Sequence, residues 1–111
     1  MAQTNADKIF LEELNKIVYD NLQDPDFNLD SMAQLLNMSR SSLNRKIRGI
    51  LDMTPNDYIR VERLKKAAVL LKDKSYKINE VCYAVGFSTP SYFAKCFQKQ
   101  FGVLPKDFVE M

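Results

Sequence analysis

Apolar residues recur along this chain at three- to five-residue steps with polar residues between them, the period of helices packed on one side. Ile9, Phe10, Leu14, Ile17, Val18 and Leu22 make the first such stripe, and Asp24-Pro25 follows as a stop, so a helix is predicted over about residues 7–22. Asn28 is placed to cap a second helix over Leu29–Leu36, with Asp30 in its positively polarised first turn. Asn37-Met38 interrupts the pattern, and Ser39 is placed to cap a third helix running to about Gly49. Thr54 followed by Pro55 reads as a cap with proline at the first helical position, and Asp57 three residues on can return the bond. This opens a long fourth helix ending near Lys74.

The second half then repeats the first. At a shift of fifty, Ser39, Leu43, Arg45 and Ile47 fall on Thr89, Phe93, Lys95 and Phe97. Leu51, Met53, Pro55, Asp57, Tyr58 and Ile59 fall on Phe101, Val103, Pro105, Asp107, Phe108 and Val109. With one residue fewer upstream, Leu29, Met32, Ala33, Leu36, Asn37 and Met38 correspond to Ile78, Val81, Cys82, Val85, Gly86 and Phe87. Chance likeness between two amphipathic helices keeps apolar spacing, but has no reason to keep a capping hydroxyl, a cation and a proline in register. The chain therefore holds two copies of one supersecondary unit.

Each copy reads as a helix-turn-helix. Ala33 and Cys82 supply the small side chain that a close crossing of the two helices demands, and Asn37 and Gly86 are suited to a positive φ in the turn. Met38 and Phe87 then plug the space between the helices, while Leu43 with Ile47, and Phe93 with Phe97, face the core. The expected division is 1–53 for helix one plus the first unit, 54–74 for a linker helix, and 75–111 for the second unit. With only three glycines and four prolines for turns, the fold class is all-α.

Composition narrows the chemistry. A chain of 111 residues with 46% hydrophobic and 27% charged residues folds into one ordinary domain or two very small ones. It has no histidine, and Cys82 and Cys96 are too few for a zinc site, so no metal or cofactor is expected. No nucleophile-base pair, phosphate loop or carboxylate dyad is present, and an enzyme is not expected. The cysteines read as buried reduced thiols of a cytoplasmic protein. There is no apolar run long enough for a bilayer and no signal pattern in MAQTNADKIF, which predicts no membrane contact by this segment and leaves room for a membrane-anchored parent.

Charge is unevenly placed: residues 1–39 carry a net −5 and the remainder +7, the basic part beginning at Arg40. If Leu43 and Ile47 point inward, Arg40, Ser41, Asn44, Arg45 and Arg48 share the outward face of the third helix. Such a helix in a major groove can set arginine against guanine and asparagine against adenine, with serines and outlying cations on phosphates. The matching face of the second unit is Pro90, Ser91, Ala94, Lys95 and Lys99 with Tyr92 at its margin, poorer in hydrogen-bonding groups. The first unit is therefore expected to carry most direct base readout and the second more backbone and thymine-methyl contact. Arg45 and Lys95 are the best candidates for groove entry. Ser39, Arg40, Arg48, Thr89 and Lys99 are expected at phosphates, whereas Arg60, Arg63 and Lys66 of the fourth helix divide between phosphate contact and pairing with Asp57 or Glu62. A connecting helix of about 30 Å against a DNA turn of about 34 Å predicts helices 39–49 and 89–101 in successive major grooves of an asymmetric or direct-repeat site.

INEVCYAVGFSTPSYFAKCFQKQFGVLP, MSRSSLNRKIRGILDMTPNDYI and RLKKAAVLL resemble the DNA-binding domain of AraC-type transcription regulators over about residues 8–109. The resemblance implies seven helices in two subdomains, transcription control through activation and contact with RNA polymerase, and base contacts at Ser41, Asn44, Arg45, Ser91, Tyr92 and Lys95. Two departures stand out. Asp52 replaces the glycine that Gly102 matches, and Phe108-Val109 stands where Tyr-Arg is frequent. The acidic helix one and SRSSLNRKI are most similar to the output domains of hybrid two-component regulators, which makes the chain a fragment whose dimerisation would lie mainly in other domains. Two readings compete: a free-standing small AraC-type activator, and a helical protein-interaction module using the apolar and acidic surface of helix one.

Overall fold

Helices start and stop where local chemistry places caps. In this computed structural model, which describes residues 4–111, the order is α1 (Asn5–Asn21), α2 (Leu29–Leu36), α3 (Arg40–Leu51), α4 (Pro55–Lys72), α5 (Ile78–Ala84), α6 (Pro90–Phe101) and α7 (Pro105–Val109). No strand occurs among the described residues. The Asn28 side chain accepts from the Ser31 backbone N–H at 3.1 Å, and Ser31 Oγ accepts from the Asn28 N–H in return. Ser39 Oγ accepts from the Ser42 N–H at 3.1 Å, and Thr54 Oγ1 from the Asp57 N–H at 3.0 Å. Each bond satisfies a donor that the first helical turn would otherwise leave open.

The chain divides into two compact units, with the boundary inside the uninterrupted α4 between Ile59 and Arg60. The first comprises residues up to Asn21 and Asp26–Ile59. Phe10, Leu14 and Val18 of α1 are buried in it with Phe27, Met32, Ala33, Leu43, Ile47, Tyr58 and Ile59. The Tyr58 hydroxyl donates to Asn15 Oδ1, so the one polar tip on this core has a partner. Lys46 Nζ lies 4.4 Å from the centre of the Phe10 ring.

Ile9 departs from expectation: it is 58% exposed. Five helical steps separate it from Leu14, about 140° around the axis, so its apolar neighbours in sequence face the core and it does not.

The second unit comprises Leu22–Pro25 and Arg60–Met111. Leu64, Ala67 and Leu71 pack with Val81, Cys82, Val85, Phe87, Phe93 and Phe97 in its core. This core is aromatic: Phe93 lies 5.2 Å from Phe87 and 5.8 Å from Phe97, whose ring is 4.7 Å from Phe101 and 5.3 Å from Phe108, all centre to centre. Tilted and edge-on pairs at these separations add to what burial alone supplies.

Both units close the turn by the same hydrogen bond. Met38 N donates to Ala33 O at 2.9 Å, and Phe87 N donates to Cys82 O at 3.0 Å, across Asn37 at φ 58° and Gly86 at φ 91°. The small residue, left-handed turn and plug expected from the sequence thus stand in both copies, although Met38 is half-buried where Phe87 is buried. Asp52 (φ 54°) and Gly102 (φ 81°) form a second matched pair, ending α3 and α6 in the left-handed region.

Candidate nucleic-acid interface

α3 buries Leu43 and Ile47 completely, which turns the rest of its surface outward. Ser39, Arg40, Ser41, Arg45 and Arg48 are exposed and Asn44 is half-buried. These side chains are organised among themselves. Arg48 Nε donates to Asn44 Oδ1 at 3.1 Å, Arg45 Nε reaches the Ser41 carbonyl at 3.4 Å, and Arg40 Nε contacts Asp30 Oδ1 at 2.8 Å. A polar cleft of about 400 Å³ runs beside them, lined by Asp30, Arg40, Asn44, Arg48, Thr54 and Asn56 among others. The Arg40–Asp30 pair is exposed on both sides and contributes little to stability, but it draws one cation of the face toward the start of α2. Arg48 lies in the last turn of α3, where a cation is favoured by the carbonyl end of the helix.

α6 buries Phe93 and Phe97 and exposes Ser91, Tyr92, Lys95 and Lys99. Tyr92 is held by its ring, 5.9 Å from that of Phe87, with half its surface open. Lys95 and Lys99 line a groove of about 440 Å³ with Arg60, Tyr92, Cys96 and Gln100, floored by Val61 and Leu64. Arg60 and Gln100 therefore belong beside this face. The i, i+4 spacing of Cys96 and Gln100 could have marked them on α6, but the approach of α4 is a tertiary fact.

Two expectations about this unit need correction. Thr89 stands at the N-terminus of α6, yet its side chain makes no cap hydrogen bond. Pro90 occupies the first helical position as Pro55 does after Thr54, which does cap, so the proline alone does not account for the difference. Cys96 is half-buried at the groove, so only Cys82 fits the buried-thiol reading, and burial pushes its thiol above the ordinary value. Both cysteines are free.

Of the α4 cations left between two roles, Arg63 is structural: it donates from Nη2 to Asp24 O at 2.8 Å and from Nε to Leu22 O at 3.3 Å. Burial lowers its pKa, an effect partly offset by the Asp24 carboxylate. Glu62 pairs with Lys65 at 3.4 Å. Among the described residues no cluster of potential metal ligands occurs, and no helix is long and apolar enough to cross a membrane.

Comparison with known proteins bears on these faces. A helix-turn-helix domain family matches residues 32–111. A histidine kinase, P4, of Formosa agariphila is 39% identical over 105 residues, 95% of this chain and 8% of that protein. The C-terminal domain of AraT, a response regulator from Geobacillus stearothermophilus, is similar with a TM-score of 0.82 at 29% identity, over 89% of this chain and 82% of that one. The DNA-binding domain of AdpA, a global transcriptional factor solved with a target DNA, gives 0.81 at 25% identity, over 90% and 89%. The chain spans 8% of the kinase and 28% to 37% of the HTH-type and operon regulators GbdR and Msm it also matches.

Proposed function

Since this chain belongs to the AraC-type (AraC/XylS) helix-turn-helix transcription regulators, whose DNA-binding domain it forms, we propose that α3 and α6 each enter a major groove of one duplex. The observation that carries this is the repeated geometry: a small buried residue, a left-handed turn, and then a helix with a buried apolar stripe and an exposed cationic face, in both units. A helix so placed offers its first turns to base edges and its outlying cations to phosphates.

Ser41, Asn44 and Arg45 face bases from α3, and Ser91, Tyr92 and Lys95 from α6. Ser39, Arg40, Arg48, Thr89 and Lys99 hold phosphates. The functional division is 1–53 and 75–111 for the two reading subdomains, with 54–74 joining them. Uneven polarity between the faces favours an asymmetric or direct-repeat operator, with base readout concentrated in the first unit. The domain acts by binding and not by catalysis.

The likeness to a response-regulator domain and to a histidine kinase supports a role as the output module of a two-component regulator. In this reading the module works in the cytoplasm and activates transcription through RNA polymerase. Dimerisation falls to other domains of the parent. The test is duplex binding by the purified chain across a salt series. Binding that weakens steeply with salt and is lost in Arg45→Ala plus Lys95→Ala supports the reading; no duplex binding, with salt-insensitive capture of a protein through α1, overturns it.

A further inference from the structure

The turn between α5 and α6 is backed by two groups from outside its own helix pair. A Cβ built on Gly86 would meet the Leu22 carbonyl oxygen first, then Arg63 Nε at 2.8 Å and Arg63 Cζ at 3.1 Å. The same guanidinium donates from Nε to Leu22 O at 3.3 Å and from Nη2 to Asp24 O at 2.8 Å. Leu22 is buried, and Leu22–Pro25 belongs to the second unit although α1, which runs into it, belongs to the first. Arg63 thus ties this short segment as a strap against Gly86. At the matching place in the first unit, Asn37 is exposed and already bears a side chain.

The turn leads directly to the reading face. Phe87 follows Gly86 and is held through its backbone at both ends: its N–H donates to Cys82 O at 3.0 Å, and Cys82 Sγ donates to its carbonyl at 3.8 Å. Its buried ring lies 5.9 Å from the ring of Tyr92, which is half open to solvent. A close-packed interior passes displacement from one group to the next, and a tilted ring pair fixes orientation as well as adding contact. Resting on the DNA-reading role proposed above, we infer that Arg63 is a positioning residue for base readout by Tyr92, acting through Leu22–Pro25, the Gly86 turn and the Phe87 ring. Arg63 reads no base itself. It sets where Tyr92 stands, so a residue of α4 and a segment before α2 tune the specificity of α6.

The experiment is selection of randomised duplexes by the 111-residue chain, followed by competition binding with single-base variants of the selected site. Tyr92→Ala identifies the position read by Tyr92 as the one whose preference flattens, and Arg45→Ala identifies a position read from α3, which serves as the internal control. Arg63→Met, which keeps the length and loses both bonds, is expected to lower the preference at the Tyr92 position by roughly fivefold, the factor one net hydrogen bond supplies, and to leave the Arg45 position within about twofold. Arg63→Lys, which keeps a cation for the two carbonyls, retains the preference. Phe87→Leu, which keeps an apolar plug but removes the ring under Tyr92, flattens the same position as Arg63→Met. If Arg63→Met does not fold, Arg63→Gln, too short to span both carbonyls, is read in its place. A merely structural role lowers the folded fraction and weakens all duplexes alike without changing any preference, and that result overturns the inference. So does a preference at the Tyr92 position that survives Arg63→Met or Phe87→Leu, or a Tyr92→Ala chain that flattens no position. A parent chain that selects no duplex overturns the DNA-reading role itself.

Discussion

The two units repeat one plan and stabilise it by different means. In the first, side-chain oxygens of Asn28, Ser39 and Thr54 cap the helix starts, and the second helix of the motif packs aliphatic Leu43 and Ile47 inward. In the second, α6 and α7 begin at Pro90 and Pro105 with no side-chain cap bond, and Phe93, Phe97, Phe101 and Phe108 form an aromatic cluster. Capping by hydroxyls and amides goes with the polar face of α3, and aromatic packing with the lysine-bearing face of α6. A duplicated motif thus keeps its steric essentials, the small residue and the left-handed turn, while the chemistry around them diverges.

The turns differ most in tolerance. A Cβ on Gly86 would sit 2.0 Å from the Leu22 carbonyl oxygen and 2.8 Å from Arg63 Nε, at a φ that side chains rarely adopt. Asn37, its counterpart, is exposed and already carries a side chain at φ 58°. In urea denaturation, Gly86→Ala is expected to lose at least about 4 kcal/mol, whereas Asn37→Gly stays within about 1 kcal/mol of the parent. Equal losses would mean that the second turn is not set by the Leu22 approach.

The caps that end α3 and α6 isolate the backbone effect, because nothing lies within 4 Å of a Cβ built on Gly102. Gly102→Ala is expected to destabilise by about 1–2 kcal/mol, and Asp52→Gly to stabilise by about 1 kcal/mol, both read as shifts of the urea midpoint. At the opposite ends of the same helices, Ser39→Ala is expected to lower stability by about 1 kcal/mol and Thr89→Ala by less than about 0.5 kcal/mol. A larger loss at Thr89 would show that its hydroxyl caps α6 after all.

Much of this contrast is legible in the sequence wherever the cause is local. Asn28, Ser39, Thr54-Pro55 and Asn37 act on their own turn of chain, and each does what its residue type dictates, whereas the approach of Leu22 O that bars a Cβ at Gly86 is tertiary. Thr89 matches Ser39 as a hydroxyl at the helix start but not in role, since its side chain makes no cap hydrogen bond. The role of Arg63 is not legible in the sequence because its acceptors, Leu22 O and Asp24 O, lie some forty residues away along the chain. Within the face, the cations and serines are readable from helical spacing. The pairing of Arg48 with Asn44 and of Arg40 with Asp30 is not, since each arginine had several acceptors in reach.

The measurement that bears most directly on the division of labour between the faces compares a selected duplex with a scrambled one, across salt, for the parent chain, Arg45→Ala and Lys95→Ala. Arg45→Ala is expected to collapse the ratio of specific to nonspecific affinity by about tenfold or more. Lys95→Ala, which removes a base contact of the second unit, should lower that ratio by a smaller factor. A specificity ratio that survives Arg45→Ala and falls with Lys95→Ala would place base readout in the second unit and contradict the account.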